Sequence, residues 1–211
     1  MNAMRHRILV DEPTVNQRLD ELGLCKKGLL EVRDRALAAS ANANPNFPKN
    51  ARGTFSYLFG VEGLRVVIVG EHWYKETVNN MEFVRNDHLS LRVGLSNVDI
   101  AGHQSKSPKA RSNRGEVSKR VCLAIGDLFP ETMDSNVNVS IDQPATYFLM
   151  IDSKGGAELS RPVIHGNNYS DFVERICLSD GSDITDMDIK APDSAESRET
   201  ENSFDPVVAR R

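Results

Sequence analysis

Six cations fall within fifteen positions of one polar stretch, GHQSKSPKARSNRGEVSKR: Lys106, Lys109, Arg111, Arg114, Lys119 and Arg120. Only Glu116 opposes them, and no large apolar side chain occurs before Val117. Basic side chains at this density suit phosphate. A helix expected from about Gly115 to Phe129 would add unpaired N–H groups and a favourable dipole at its start. On a nucleic acid such contacts hold the backbone without reading bases. The plainer reading is a solvated loop whose Asn113 caps that helix. The cations also lack the interleaved aromatic residues of a single-strand binding surface.

A second chemistry is written in carboxylates. Asp99 follows one expected strand, and Asp152-Ser153-Lys154 closes another, Ile151 being its last apolar residue. An Asp and an acid-x-Lys on neighbouring strands are the pattern of PD-(D/E)xK nucleases, which hold Mg²⁺ and activate water. Against this, Lys154 abuts Gly155-Gly156, the composition of a hairpin turn, and the Pro of the first motif is missing. His6, His72, His88, His103 and His165 lie in separate segments with no paired spacing for a metal. Cys25, Cys122 and Cys177 are odd in number and form no CxxC, so buried free thiols are expected for the latter two. No Walker loop, GxSxG or GxGxxG occurs, and no cofactor is expected.

The elements that would carry these residues follow from periodicity. Thr14-x-x-Gln17 reads as a capping box opening a short helix that Gly23 ends. Leu29, Leu30, Val32, Ala36 and Leu37 predict a helix from about Lys26 to Ala41. ANANPNFPKNARG reads as a linker, with Pro45, Pro48 and Gly53 breaking any helix. Residues 54–69 favour a helix, with Phe55, Leu58, Val61, Leu64 and Ile68 on one face, and His72-Trp73-Tyr74 an aromatic patch beyond it. Met81–Asn86 and Leu89–Ile100 predict strands, the second alternating Leu89, Leu91, Val93 and Leu95 with polar or small residues. Ala145–Asp152, apolar on both faces, predicts a central strand. Its return strand carries Pro162, which suits an edge or a position whose N–H is not needed. Phe172–Leu178 predicts a third strand of that meander. Glu158, Arg161, Glu174 and Arg175 would then form a cross-strand charge cluster, read first as a solvated face.

The chain of 211 residues has a net charge of −4, unevenly placed. From Asp180 onward nine acids face four bases, with few large apolar groups, so residues 180–211 are expected to be a disordered, acidic tail. No apolar run approaches the ~20 residues that cross a bilayer, and a cytoplasmic protein is the expectation. The fold expected for 1–179 is a single α+β domain: an antiparallel sheet of four or five strands packed against three or four helices.

The Asn-Pro-Asn-x-Pro segment at 44–48, Leu64-Arg65, Trp73, the polar loop after the second strand, Glu158-Leu159-Ser160-Arg161-Pro162 and Glu174-Arg175-Ile176 resemble a family of uncharacterised bacterial proteins of plasmids and other mobile elements. The likeness covers about residues 14–178, with Val98-Asp99 where the family often has Gly-Asp. It implies one compact domain and no mechanism. The reading favoured here is a non-catalytic binding or accessory protein of a mobile element, taking a protein partner or nucleic-acid backbone through the basic loop. A metal-dependent nuclease using Asp99, Asp152 and Lys154 is the alternative.

Overall fold

Leu91, Val93 and Leu95 turn to one side of their strand, and Arg92, Gly94 and Ser96 to the other, as alternation requires. In a computed structural model, which describes residues 7–112, 144–165 and 168–184, this strand lies inside a seven-stranded sheet. The elements run β1 (Arg7–Leu9), α1 (Glu12–Glu21), α2 (Lys26–Ala41), α3 (Ala51–Ile68), β2 (Tyr74–Val78), β3 (Met81–Asn86), β4 (Leu91–Asn97), β5 (Ala145–Ile151), β6 (Gly156–His165) and β7 (Asn168–Asp180). The sheet order is β1-β7-β6-β5-β4-β3-β2, which puts β5 at the centre as its two apolar faces demand.

The α+β class holds, with three helices among the described residues, but the sheet is larger than expected and mixed. β4 pairs with β5 in parallel, Leu91 opposite Ala145 through Asn97 opposite Ile151, and β1 pairs in parallel with β7. Neither parallel pair has a hairpin turn, the local signal by which strand partners are read. β1, at three residues, is also too short to show alternation.

The helices pack on one face. Val15, Leu19, Leu29, Val32, Ala36, Val61 and Leu64 join Val93, Leu95, Leu149, Leu159 and Ile176 in one apolar cluster. On the other face Phe83, Phe148, Met150, Tyr169 and Phe172 form a second cluster with Val98 and Ala101, the first and fourth residues after β4.

Several boundaries differ from expectation for identifiable reasons. α1 begins at Glu12, two residues before Thr14, because Asp11 caps it and accepts from the Thr14 N–H at 3.3 Å and its hydroxyl at 2.9 Å. The supposed linker ends sooner: α3 starts at Ala51, with Asn50 at its N-cap. Tyr74 opens an edge strand instead of closing an aromatic patch, and β4 runs 91–97 instead of 89–100. β6 is an internal strand. Pro162 is accommodated there at a register shift between Arg161 and Pro162, where the ladder is irregular. The expected helix at 115–129 lies outside the described residues, as does the tail from 185 on. The tail expected from 180 starts later, because Asp180 closes β7 and the turn at 181–184 is held to α2 through Asp183.

The charge cluster on β6 and β7 is not a solvated face. Glu158 is 0 % and Arg175 2 % exposed, and they pair at 2.6 Å. Glu174, on the helix side, accepts from Arg18 Nε at 3.0 Å and from the Tyr147 hydroxyl at 2.6 Å. Burial, together with that carboxylate, pushes the Tyr147 phenol up to about 12.

At the far end of β7 the chain turns through Gly181–Ile184, and Asp183 grips Arg33 of α2 through bonds of 3.0 and 2.7 Å. The Arg33 guanidinium holds the Asp183 carboxyl down at about 2. A depressed carboxyl contributes stability above its unfolded value, near 3.9, and loses it as pH falls through the folded value. The Asp183 side chain is 44 % exposed, so solvent screening limits the effect to about 1 kcal/mol or less. Urea unfolding of the protein and of Asp183→Asn should therefore differ at pH 6 and converge near pH 2. A constant difference across that window would refute the linkage.

Candidate anion site

The basic stretch is anchored at both described ends. Gly102 donates its N–H to Glu158 Oε2 at 2.9 Å, and the His103 carbonyl accepts from Arg175 at 2.9 Å. Seven residues on, the chain returns against the end of β4. Ala110 bridges Val98, Lys109 N–H bonds Asp99 Oδ1 at 2.7 Å, and Arg111 N–H bonds the Asn97 carbonyl at 3.2 Å. Pro108 is buried between these contacts. The segment is thus a strapped loop rather than a free one, and its route delivers Arg111 to a defined place.

That place is a cleft of about 400 Å³ between the loop, the β5–β6 turn, the end of α2 and the start of α3. Arg111 forms one wall and donates to Ser153 Oγ at 3.0 Å. Arg52, exposed in the first turn of α3, lines it as well. Ser40, Ser56 and Asn97 complete the polar lining. Asn97 fixes the helix to the sheet by accepting from Ser56 Oγ at 2.9 Å and donating to the Gly53 carbonyl at 2.9 Å. Asn50 makes no side-chain capping bond, so the opening turn of α3 carries its N-terminal partial charge without a side-chain acceptor.

Two arginines, hydroxyls and a helix start thus meet in one concavity. The one carboxylate lining it, Asp152, is already engaged. Asp152 Oδ1 accepts from Lys154 N–H at 2.7 Å and Gly156 N–H at 3.1 Å, and Oδ2 from Ala101 N–H at 3.0 Å. It is 5 % exposed and ties the β5–β6 turn to the root of the basic loop. Asp99 Oδ1 accepts from the N–H groups of Ile100 and Lys109. The acid-x-Lys of 152–154 therefore sits in a hairpin turn, with Lys154 exposed. Among the described residues no group of three or more His, Cys, Asp or Glu could hold a metal ion.

No match is found. Comparison with protein-family models, curated proteins and solved structures returns nothing for this chain. Among the described residues no helix is long and apolar enough to cross a membrane.

Of the cations singled out in the sequence, Lys106 and Lys109 are exposed on the loop and Arg111 reaches the cleft, whereas Arg114, Lys119 and Arg120 lie outside the described residues. The sequence reading missed Arg52 because Ala51-Arg52-Gly53 was assigned to the linker. The available signal was Asn50, an N-cap residue type standing just before Ala51, which places Arg52 in a first turn.

Proposed function

We propose that this protein is a non-catalytic binding protein that holds a nucleic-acid backbone in the cleft between Arg52 and Arg111, with Lys106 and Lys109 along the approach. The observation that carries this reading is the meeting of Arg111, from the basic loop, with Arg52 in the first turn of α3 around a space whose one lining carboxylate, Asp152, is held by backbone N–H groups. Guanidinium groups match phosphate oxygens in a planar fork, and a helix start favours the same negative charge. An accessory role on a bacterial mobile element rests on the family resemblance alone.

The test is fluorescence anisotropy of labelled oligonucleotides of mixed sequence titrated with the full chain at several salt concentrations. Affinity should fall steeply with salt and depend little on base sequence. Arg52→Ala with Arg111→Ala should weaken binding at low salt by about tenfold or more and reduce the salt slope by about two, one unit per lost phosphate contact. The melting temperature should not change, because neither side chain is buried. Absence of binding at low salt, or an unaltered slope in the double variant, would overturn the reading.

A further inference from the structure

We propose that the acidic segment after Ile184, residues 185–211, docks in the Arg52–Arg111 cleft and competes there with a polyanion. The inference rests on the reading above, that this cleft takes phosphate, and adds its regulation.

The place where the chain leaves the described structure comes first. Ile184 sits so close over Gly155 that a Cβ there would collide with its side chain. Gly155 lies two residues from Ser153, the hydroxyl that receives Arg111. The segment therefore starts beside the wall of the cleft. Its 27 residues could span up to ~90 Å if extended, and even ten of them in a flexible chain cover ~17 Å on average.

Charge is the second observation. Residues 185–211 carry seven acids and four bases, two of those bases being the last two residues. The cleft offers two guanidinium groups against one lining carboxylate, Asp152, whose oxygens accept from backbone amides. Carboxylates accept from arginine in the same bidentate manner as phosphates.

The third observation is that this stretch of chain already behaves this way. Asp183, immediately before Ile184, takes Arg33 in two bonds, and Arg33 belongs to the helix whose Ser40 lines the cleft. Continuing the same contact around the rim needs only the next acids. A tethered competitor acts at an effective concentration near 1 mM, so an intrinsic affinity of ~0.1 mM weakens an external polyanion about tenfold.

The experiment uses the full chain with the seven Asp and Glu of 185–211 changed to Asn and Gln. Its affinity for the labelled oligonucleotide should rise about tenfold at low salt, and the gain should close as salt increases. Neutralisation also shifts the net charge, so it is repeated in the Arg52→Ala, Arg111→Ala protein. There the gain should fall below twofold, and a full gain there, or none in either protein, overturns the proposal. A second readout needs no oligonucleotide. Carbodiimide coupling of carboxylates to lysines in the unaltered chain should join residues of 185–211 to Lys109 or Lys154, and the Arg52→Ala, Arg111→Ala change should reduce that product. Coupling spread equally to Lys26 and Lys75, remote from the cleft, refutes the docking. If the oligonucleotide binds neither protein, the nucleic-acid reading falls while the coupling pattern still decides where the segment lies.

Discussion

Arg175→Met is expected to destabilise the protein by about 3–5 kcal/mol, because it leaves Glu158 charged, buried and without its partner. Glu158 has no exposure to solvent, and Arg175 supplies it with bonds of 2.9 Å from Nε and 2.6 Å from Nη2. The remaining donors to Glu158 are the Ser160 hydroxyl at 2.6 Å and the Gly102 N–H at 2.9 Å, neither of which carries a charge. For a chain of this size the loss corresponds to a melting temperature lower by roughly 6–20 °C. Glu158→Leu combined with Arg175→Met should recover at least half of it, since removing both charges removes the desolvation cost that one alone imposes. Thermal and urea unfolding of the two single variants and the double one complete the cycle. A single variant within 1 kcal/mol of the parent, or a double variant as unstable as the sum of the singles, would show that the pair is not what holds β6 to β7 here.

The second large effect falls at the root of the basic loop. Gly102 has φ +73°, a left-handed conformation in which a side chain costs about 1 kcal/mol, and an added Cβ would collide with the Ser179 carbonyl of β7. The Cβ position is fixed by the backbone and the carbonyl is itself backbone, so no rotamer change relieves the collision. Gly102→Ala should cost more than ~3 kcal/mol in unfolding free energy and pull the Gly102 N–H away from Glu158. Oligonucleotide binding should weaken with it, because the strap that carries Arg111 to the cleft starts there. Gly53→Ala is the contrast. No atom lies within 4 Å of the Cβ it would add, and it sits in the first turn of α3. That change should be neutral or stabilising by up to ~1 kcal/mol. Equal melting temperatures for Gly102→Ala and the parent would refute the steric account.

These two predictions concern residues that the sequence made visible in different degrees. Gly102 stands at the head of the cationic stretch. Its clash with Ser179 depends on a residue 77 positions away. Glu158 and Arg175 were recognised as a charge cluster, yet were assigned to a solvated face. Alternation along a strand tells which residues share a side, but not whether that side is covered. Asp152 shows the opposite case: Asp-x-Lys before two glycines is a turn in the sequence and a turn in the fold.

The sequence by itself determined what depends on neighbours a few positions apart. The helix at 26–41 came from apolar residues three and four apart, the strand character of 91–97 from alternation, and the central position of 145–151 from an apolar run with no polar face. The meander of β5, β6 and β7 was legible from its turns, whereas tertiary structure alone decided the pairings that no turn announces. The parallel pairing of β4 with β5 and of β1 with β7 leaves no local trace, because parallel partners are joined by long crossovers instead of turns. The candidate site belongs to the same class. Arg52 and Arg111 stand 59 positions apart, on a helix start and a returning loop. Packing α3 on the sheet through Ser56 and Asn97, while β4 carries the loop past the β5–β6 turn, is what brings them to one cleft.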